Sequence, residues 1–168
     1  VQPNEKVLIM YYSDDSREMV KELLKAVCRR NGNPSYKKLD KELDSLLLRE
    51  NNKSIIDLLI KNAEYEVNQY DSYIYVKHTE NEYENKSIPN DIINYYESNK
   101  RPYDNIRVNQ RKWVLFNYPS LIDAYKAQKS IEEFNKFAFD VMNVDYSKMN
   151  EKLKPLKDEV ENCILKDT

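Results

Sequence analysis

The stretch Val7-Leu8-Ile9-Met10-Tyr11-Tyr12 decides the fold. Its apolar positions do not alternate with polar ones, so a strand built from it needs cover on both faces, as in a parallel sheet. Such a strand opens an α/β unit. Immediately after it, Asp15 and Glu18 have the three-residue spacing of a capping box, and Met19, Val20, Leu23, Leu24 and Val27 form a helical stripe. The stripe stops at Asn31-Gly32, where the chain's single glycine is expected to serve as a left-handed helix cap.

Further along, Ser35 to Leu39 alternates weakly and predicts a second strand, followed by a helix carrying Leu43, Leu46 and Leu47. Another helix is expected from Ser54, with Ile55, Ile56, Leu58, Leu59, Ala63 and Val67 as its apolar residues. Ser72 to Val76 predicts the third strand. The polar loop HTENEYENKS follows, then a helix near Asn90 to Glu97 and, past Pro102, a further helical turn through Arg111. Lys112 to Phe116 predicts a fourth, buried strand beginning at Trp113. No strand signal remains beyond Ser120; helices are expected from Ser120 or Leu121, from Ser130 with Glu133 as a capping box, and from Asp145.

Strands separated by helices need crossover connections, and those crossovers cover the sheet. The expected class is therefore three-layer α/β, with a mostly parallel sheet of about four or five strands, helices on both faces and a helical C-terminal tail. With 168 residues the chain reads as a single α/β domain spanning residues 1–168, because a domain of that size hides roughly 70% of its unfolded surface.

Composition narrows the function. Charged residues make up 33% of the chain but nearly cancel, leaving a net charge of -2, so no one-signed field points to nucleic acid or an anionic membrane. No apolar run approaches the roughly 20 residues that cross a bilayer. Cys28 and Cys163 each fall inside an apolar helical pattern, which predicts two buried thiols, a reducing compartment and a cytoplasmic location. Asn, Lys, Ile and Tyr replace Gly, Ala and Arg throughout, a bias that an AT-rich genome explains, so the 14 tyrosines need not mark a stacking surface.

In an open parallel sheet, ligands bind beyond the C-terminal strand ends, here after Tyr12, Val76 and Phe116. The first such loop, YYSDDS, has no glycine and presents two carboxylates, which excludes a dinucleotide or P-loop phosphate cradle. Asp14 and Asp15 are similar to the acidic pair that holds magnesium in response-regulator receiver domains, but the third strand ends in Val76-Lys77-His78 where a receiver places its phosphorylated aspartate. Helix capping is the simpler role for Asp15. His78 is the only histidine; with no compact set of further ligands around it, it cannot build a zinc site and is expected to be an exposed loop residue. No serine sits in a GxSxG elbow, and the pair Glu132 and Glu133 favours a helix dipole rather than acid–base work. No catalytic, cofactor-binding or metal-binding residue is assigned.

The opening VQPNEKVLI, the segment PSYKKLD, and Trp113, Pro119, Ala124, Ser130, Glu132, Glu133, Phe134 and Asp145-Tyr146 together resemble the aminopeptidase T, or thermophilic leucyl aminopeptidase, family of metallopeptidases. Asn4 stands where that family commonly has glycine. The resemblance spans the whole chain and implies the N-terminal domain of a two-domain hydrolase that removes N-terminal residues from peptides. Its catalytic half, with two divalent ions, zinc or cobalt, held by Glu, His and Asp, would lie beyond Thr168, and the parent would be a cytoplasmic homodimer. No family metal ligand or catalytic residue matches a position here. The implied role is to shape the substrate cavity or subunit contacts, with the C-terminal catalytic domain as partner; the competing expectation is a free-standing receiver-like or protein-interaction domain. Each resembling residue also has a structural reading, with Pro119 setting a turn and Phe134, Phe137 and Val141 forming a packing stripe.

Overall fold

The apolar run becomes β1 (Lys6–Tyr11), the second strand of a four-stranded parallel sheet ordered β2-β1-β3-β4. The computed structural model describes residues 1–79, 81 and 83–164, with the side chains of 161–164 excepted. In chain order, β1 is followed by α1 (Arg17–Arg29), β2 (Asn33–Lys38), α2 (Lys41–Arg49), α3 (Lys53–Gln69) and β3 (Ser72–Lys77). Then come α4 (Asn90–Gln110), β4 (Lys112–Asn117), α5 (Leu121–Lys126), α6 (Ile131–Met142) and α7 (Tyr146–Ile164). Short 3-10 turns occupy Asp14–Ser16 and Glu84–Ser87. The expected class, a parallel sheet with helices on both faces and a helical C-terminal segment, is the observed one.

Alternate residues of the central strands point to opposite sides. On one side Val7, Ile9, Tyr11 and Val76 pack with Val20 and Val27 of α1. On the other, Leu8, Met10 and Tyr73 form a separate small cluster, and α2, α3 and α4, with Ile88 from the turn before α4, build a further one from Leu48, Ile56, Ile60, Ile88 and Ile92. The chain leaves β1 toward β2 and then crosses back to β3, so right-handed crossovers place α1 on one face and α2, α3 and α4 on the other. The direction change lies between β1 and β3, which pair in register from Val7 with Ser72 to Tyr11 with Val76. By contact density residues 1–122 make one compact unit and residues 123–168 another.

Several local expectations change. Asn31, not Gly32, takes the left-handed conformation (φ 56°) after α1. Its N–H donates to the Cys28 carbonyl at 2.9 Å and that of Gly32 to the Val27 carbonyl at 3.0 Å, the paired bonds of a Schellman motif with Asn31 in the left-handed position. Gly32 is needed for room: a Cβ there would stand 2.7 Å from Val1 Cγ1 and 2.8 Å from Val27 Cγ1. The Asp15–Glu18 capping box does not form, because Asp15 lies inside the 3-10 turn that Ser13 caps by accepting from the Asp15 N–H at 3.3 Å. Asn4 is also left-handed (φ 65°), which explains how it can stand where glycine is common.

In α2, Leu43, Leu46 and Leu47 face solvent, whereas Ser45 and Leu48 are buried. The two expected helical pieces around Pro102 are one continuous α4, with Pro102 inside it. Cys28 is exposed, and Cys163 has its side chain outside the described residues. The largest difference concerns β4. It begins at Lys112 as expected and runs one residue further, to Asn117, but Trp113, Val114 and Leu115 are 48%, 53% and 46% exposed, because β4 is the sheet's edge rather than its centre.

In the second unit, α6 has the expected capping box: Ser130 Oγ accepts from the Glu133 N–H at 3.2 Å, and Glu133 accepts from the Ser130 N–H at 3.1 Å. Asp145 likewise opens α7 by accepting from the N–H groups of Ser147 and Lys148 at 3.1 and 3.2 Å. Phe134 is half-buried beside Phe137, yet Phe137 and Val141 are more than half exposed, so the expected stripe is only partly packed.

Candidate functional site

The C-terminal ends of β1 and β3 meet where the strand order changes direction, the position at which open α/β sheets bind ligands. From β1 the chain turns through Ser13 and Ser16, both buried, with Ser16 Oγ donating to the Ser13 carbonyl at 2.7 Å. This fixed turn presents Asp14 and Asp15 outward. Lys38, at the end of β2, donates to Asp14 Oδ2 at 2.8 Å, and that contact holds the Asp14 carboxyl below its ordinary value. At the end of β3 stands His78.

His78 is buried, not exposed: only 8% of its surface is accessible. Its Nε2 lies 3.9 Å from an Asp15 carboxylate oxygen, and its ring leans on Tyr118 with centroids 6.2 Å apart. Its Nδ1 has no hydrogen-bond partner among the described residues, an unusual state for a buried polar atom. The ring forms part of the wall of a cleft of about 290 Å³, together with Tyr12, Lys38, Asp40, Lys41 and Glu84. The first turn of α2 is closed to ligands here, because Asp40 caps it by accepting from the Leu43 N–H at 3.0 Å.

A second and larger cavity, about 410 Å³, lies between the sheet and α2, α3 and α4. It separates the Leu8–Met10–Tyr73 cluster from the helical cluster, so the two apolar groups do not merge into one core. Its walls are phenolic and charged. Arg107 donates to the Tyr75 hydroxyl, its guanidinium carbon stands 5.0 Å from the centre of that ring, and it pairs with Asp104 at 3.2 Å. Lys100 pairs with the same Asp104 at 2.6 Å and Lys37 with Glu66 at 2.8 Å. Burial, reinforced by the nearby Asp44 charge, pushes the Tyr96 phenol up to about 12.

Of the residues singled out in the sequence, Asp14, Asp15 and His78 do come together at one sheet end, whereas Glu132 and Glu133 stay in the first turn of α6. Among the described residues no cluster of three or more His, Cys, Asp or Glu is arranged to hold a metal ion. Sequence reading missed the cavity altogether, since its lining comes from one face of three strands and three helices with no shared local motif.

No protein-family model matches the chain. No curated protein matches it either. Among solved structures the fold is similar to wild-type AmpT from Thermus thermophilus, with a TM-score of 0.51 and 11% sequence identity. The likeness covers 71% of this chain and 32% of that one, so the chain spans about a third of its neighbour's length. At that identity the likeness shows the fold alone, and it agrees with the resemblance seen in the sequence.

Proposed function

We propose that this chain is the N-terminal, non-catalytic domain of a metal-dependent aminopeptidase, where it shapes the substrate cavity or the contacts between subunits. The observation that carries this reading is the structural likeness to one third of AmpT, taken with the resemblance to the aminopeptidase T family spread from Val1 to Tyr146. The exposed apolar strand β4 fits the same reading, because a domain that rests against a larger body leaves such a surface for it. Hydrolysis would then belong to a second domain with its own divalent metals, and peptides would be substrates of the whole enzyme.

Incubating the 168-residue chain with leucine p-nitroanilide and cobalt or zinc ions should give no release of nitroaniline. Metal-dependent turnover would sink the proposal, as would a reading frame that continued past Thr168 without a cluster of Glu, His and Asp. The exposed β4 also favours a second reading, a free-standing interaction domain without a peptidase partner. A reading frame that stopped near Thr168 would select it.

A further inference from the structure

We propose that two copies of this chain associate through α7, which pairs with the partner's α7 as a short antiparallel coiled coil. The proposal concerns the helix itself and does not rest on the peptidase reading.

Three observations converge on it. Tyr146, Met149, Leu153, Leu156 and Val160 recur at alternating three- and four-residue intervals. These are the a and d positions of a heptad repeat, the narrow seam that two paired helices share, not the broader stripe of a helix packed on a domain. The five are 42% to 63% exposed, and every residue from 146 to 160 is exposed, so no described part of the chain covers either face of the helix. Left alone, such a helix has little to hold it. Amphipathic helices owe most of their stability to what their apolar face packs against, and Pro155, inside these 19 residues, brings no N–H to the helix. Pro155 falls at an outward heptad position and stays off the seam.

The charges select both the occupant and its direction. A two-fold antiparallel pair centred between Leu153 and Leu156 sets Leu153 against the partner's Leu156, and Met149 against the partner's Val160. The same register sets Lys152 beside the partner's Glu159, twice by symmetry, and Asn150 beside the partner's Lys157. Parallel pairing would instead set Lys152 beside the partner's Lys157, two like-charge contacts. An anionic lipid surface is a poorer occupant, because α7 carries four lysines and four acidic residues and so no excess of positive charge.

The test is sedimentation equilibrium of the full chain carrying Val114→Glu, which closes the β4 edge to strand pairing, at about 10 μM to about 1 mM. The expected result is a monomer–dimer equilibrium that Leu153→Asp abolishes. Lys152→Glu and Glu159→Lys should each weaken the dimer about ten-fold, and the two changes in one chain should restore it. With Cys28→Ser and Cys163→Ser in place, Met149→Cys chains mixed with Val160→Cys chains should form a disulfide-linked dimer under mild oxidation, whereas neither variant alone should. Circular dichroism verifies that each variant is folded. A monomer at every concentration, a dimer that survives Leu153→Asp, a dimer that Lys152→Glu tightens, or linkage of Met149→Cys chains to one another overturns the proposal.

Discussion

Glu5 should make the stability of the first unit depend on acid. Its side chain is almost wholly buried beside the first residues of β1, β3 and β4. One carboxylate oxygen accepts from the Ser72 hydroxyl and pairs with Lys112 Nζ at 3.0 Å; the other accepts from the Gln2 N–H at 2.6 Å. These bonds, that from Ser72 foremost, outweigh desolvation and lower the carboxyl from 4.5 to about 2. Between those values the unfolded chain binds a proton that the folded chain refuses. Stability from Glu5 is thus complete above about pH 4.5 and disappears as the pH falls to about 2. The difference in carboxyl affinity corresponds to about 3 kcal/mol at neutral pH.

Urea titrations followed by circular dichroism and by the single Trp113, which lies on β4 next to Lys112, should record this in wild type and Glu5→Gln. Glu5→Gln should be less stable by about 2 to 3 kcal/mol at pH 7, with the gap closing steadily below pH 4. A gap of constant size from pH 7 down to pH 3 refutes the linkage, and a gap that widens on acidification refutes its sign.

Gly32→Ala should destabilise the same unit by about 1 to 2 kcal/mol, the overpacking cost exceeding the gain from restricting the unfolded chain. Because the added carbon meets Val27, which is only 2% exposed, Val27→Ala in the same chain should relieve part of the penalty; denaturant midpoints of both variants check this, and strict additivity opposes it. Ser130→Ala removes the hydroxyl half of the α6 capping box, leaving the bond from the residue-130 N–H to Glu133, and should lower helix stability by about 1 kcal/mol, read from thermal melting of residues 123–168 within the whole chain. No change in that transition would mean that the cap contributes nothing net.

The parallel sheet was legible because VLIMYY and SYIYV carry their burial in their own composition. Edge position is different. The residues WVLF of β4 have the same periodicity as β1, but whether a strand lies at the centre or the edge is set by spatial order, which no local pattern encodes. His78 followed a strand and preceded a polar loop, so an exposed position was expected; the Tyr118 ring from beyond β4 packs against it. In α2 a strip of leucines pointed to the wrong face because Ser45, which donates to Asn85 Oδ1 at 2.6 Å, could be buried at no polar cost. The cap after α1 was placed one residue late, as asparagine tolerates the left-handed region nearly as glycine does. The candidate cleft was legible only as the place where a ligand could sit; its chemistry depends on side chains brought from distant segments.

The two borders of the sheet are unequally defended. β2 carries Pro34, which has no N–H to offer a foreign strand, and the charged pair Lys37 and Lys38. On β4, Lys112 and Asn117 bracket four consecutive apolar residues, and among the described residues no strand pairs with its outer side. Such a border is a template for misassembly, so protein concentration becomes a structural variable for this chain. At high concentration, or while the chain emerges from synthesis, β4 is where intermolecular β-aggregation would start, and a charge on its outward face is the substitution that would keep the molecule monodisperse.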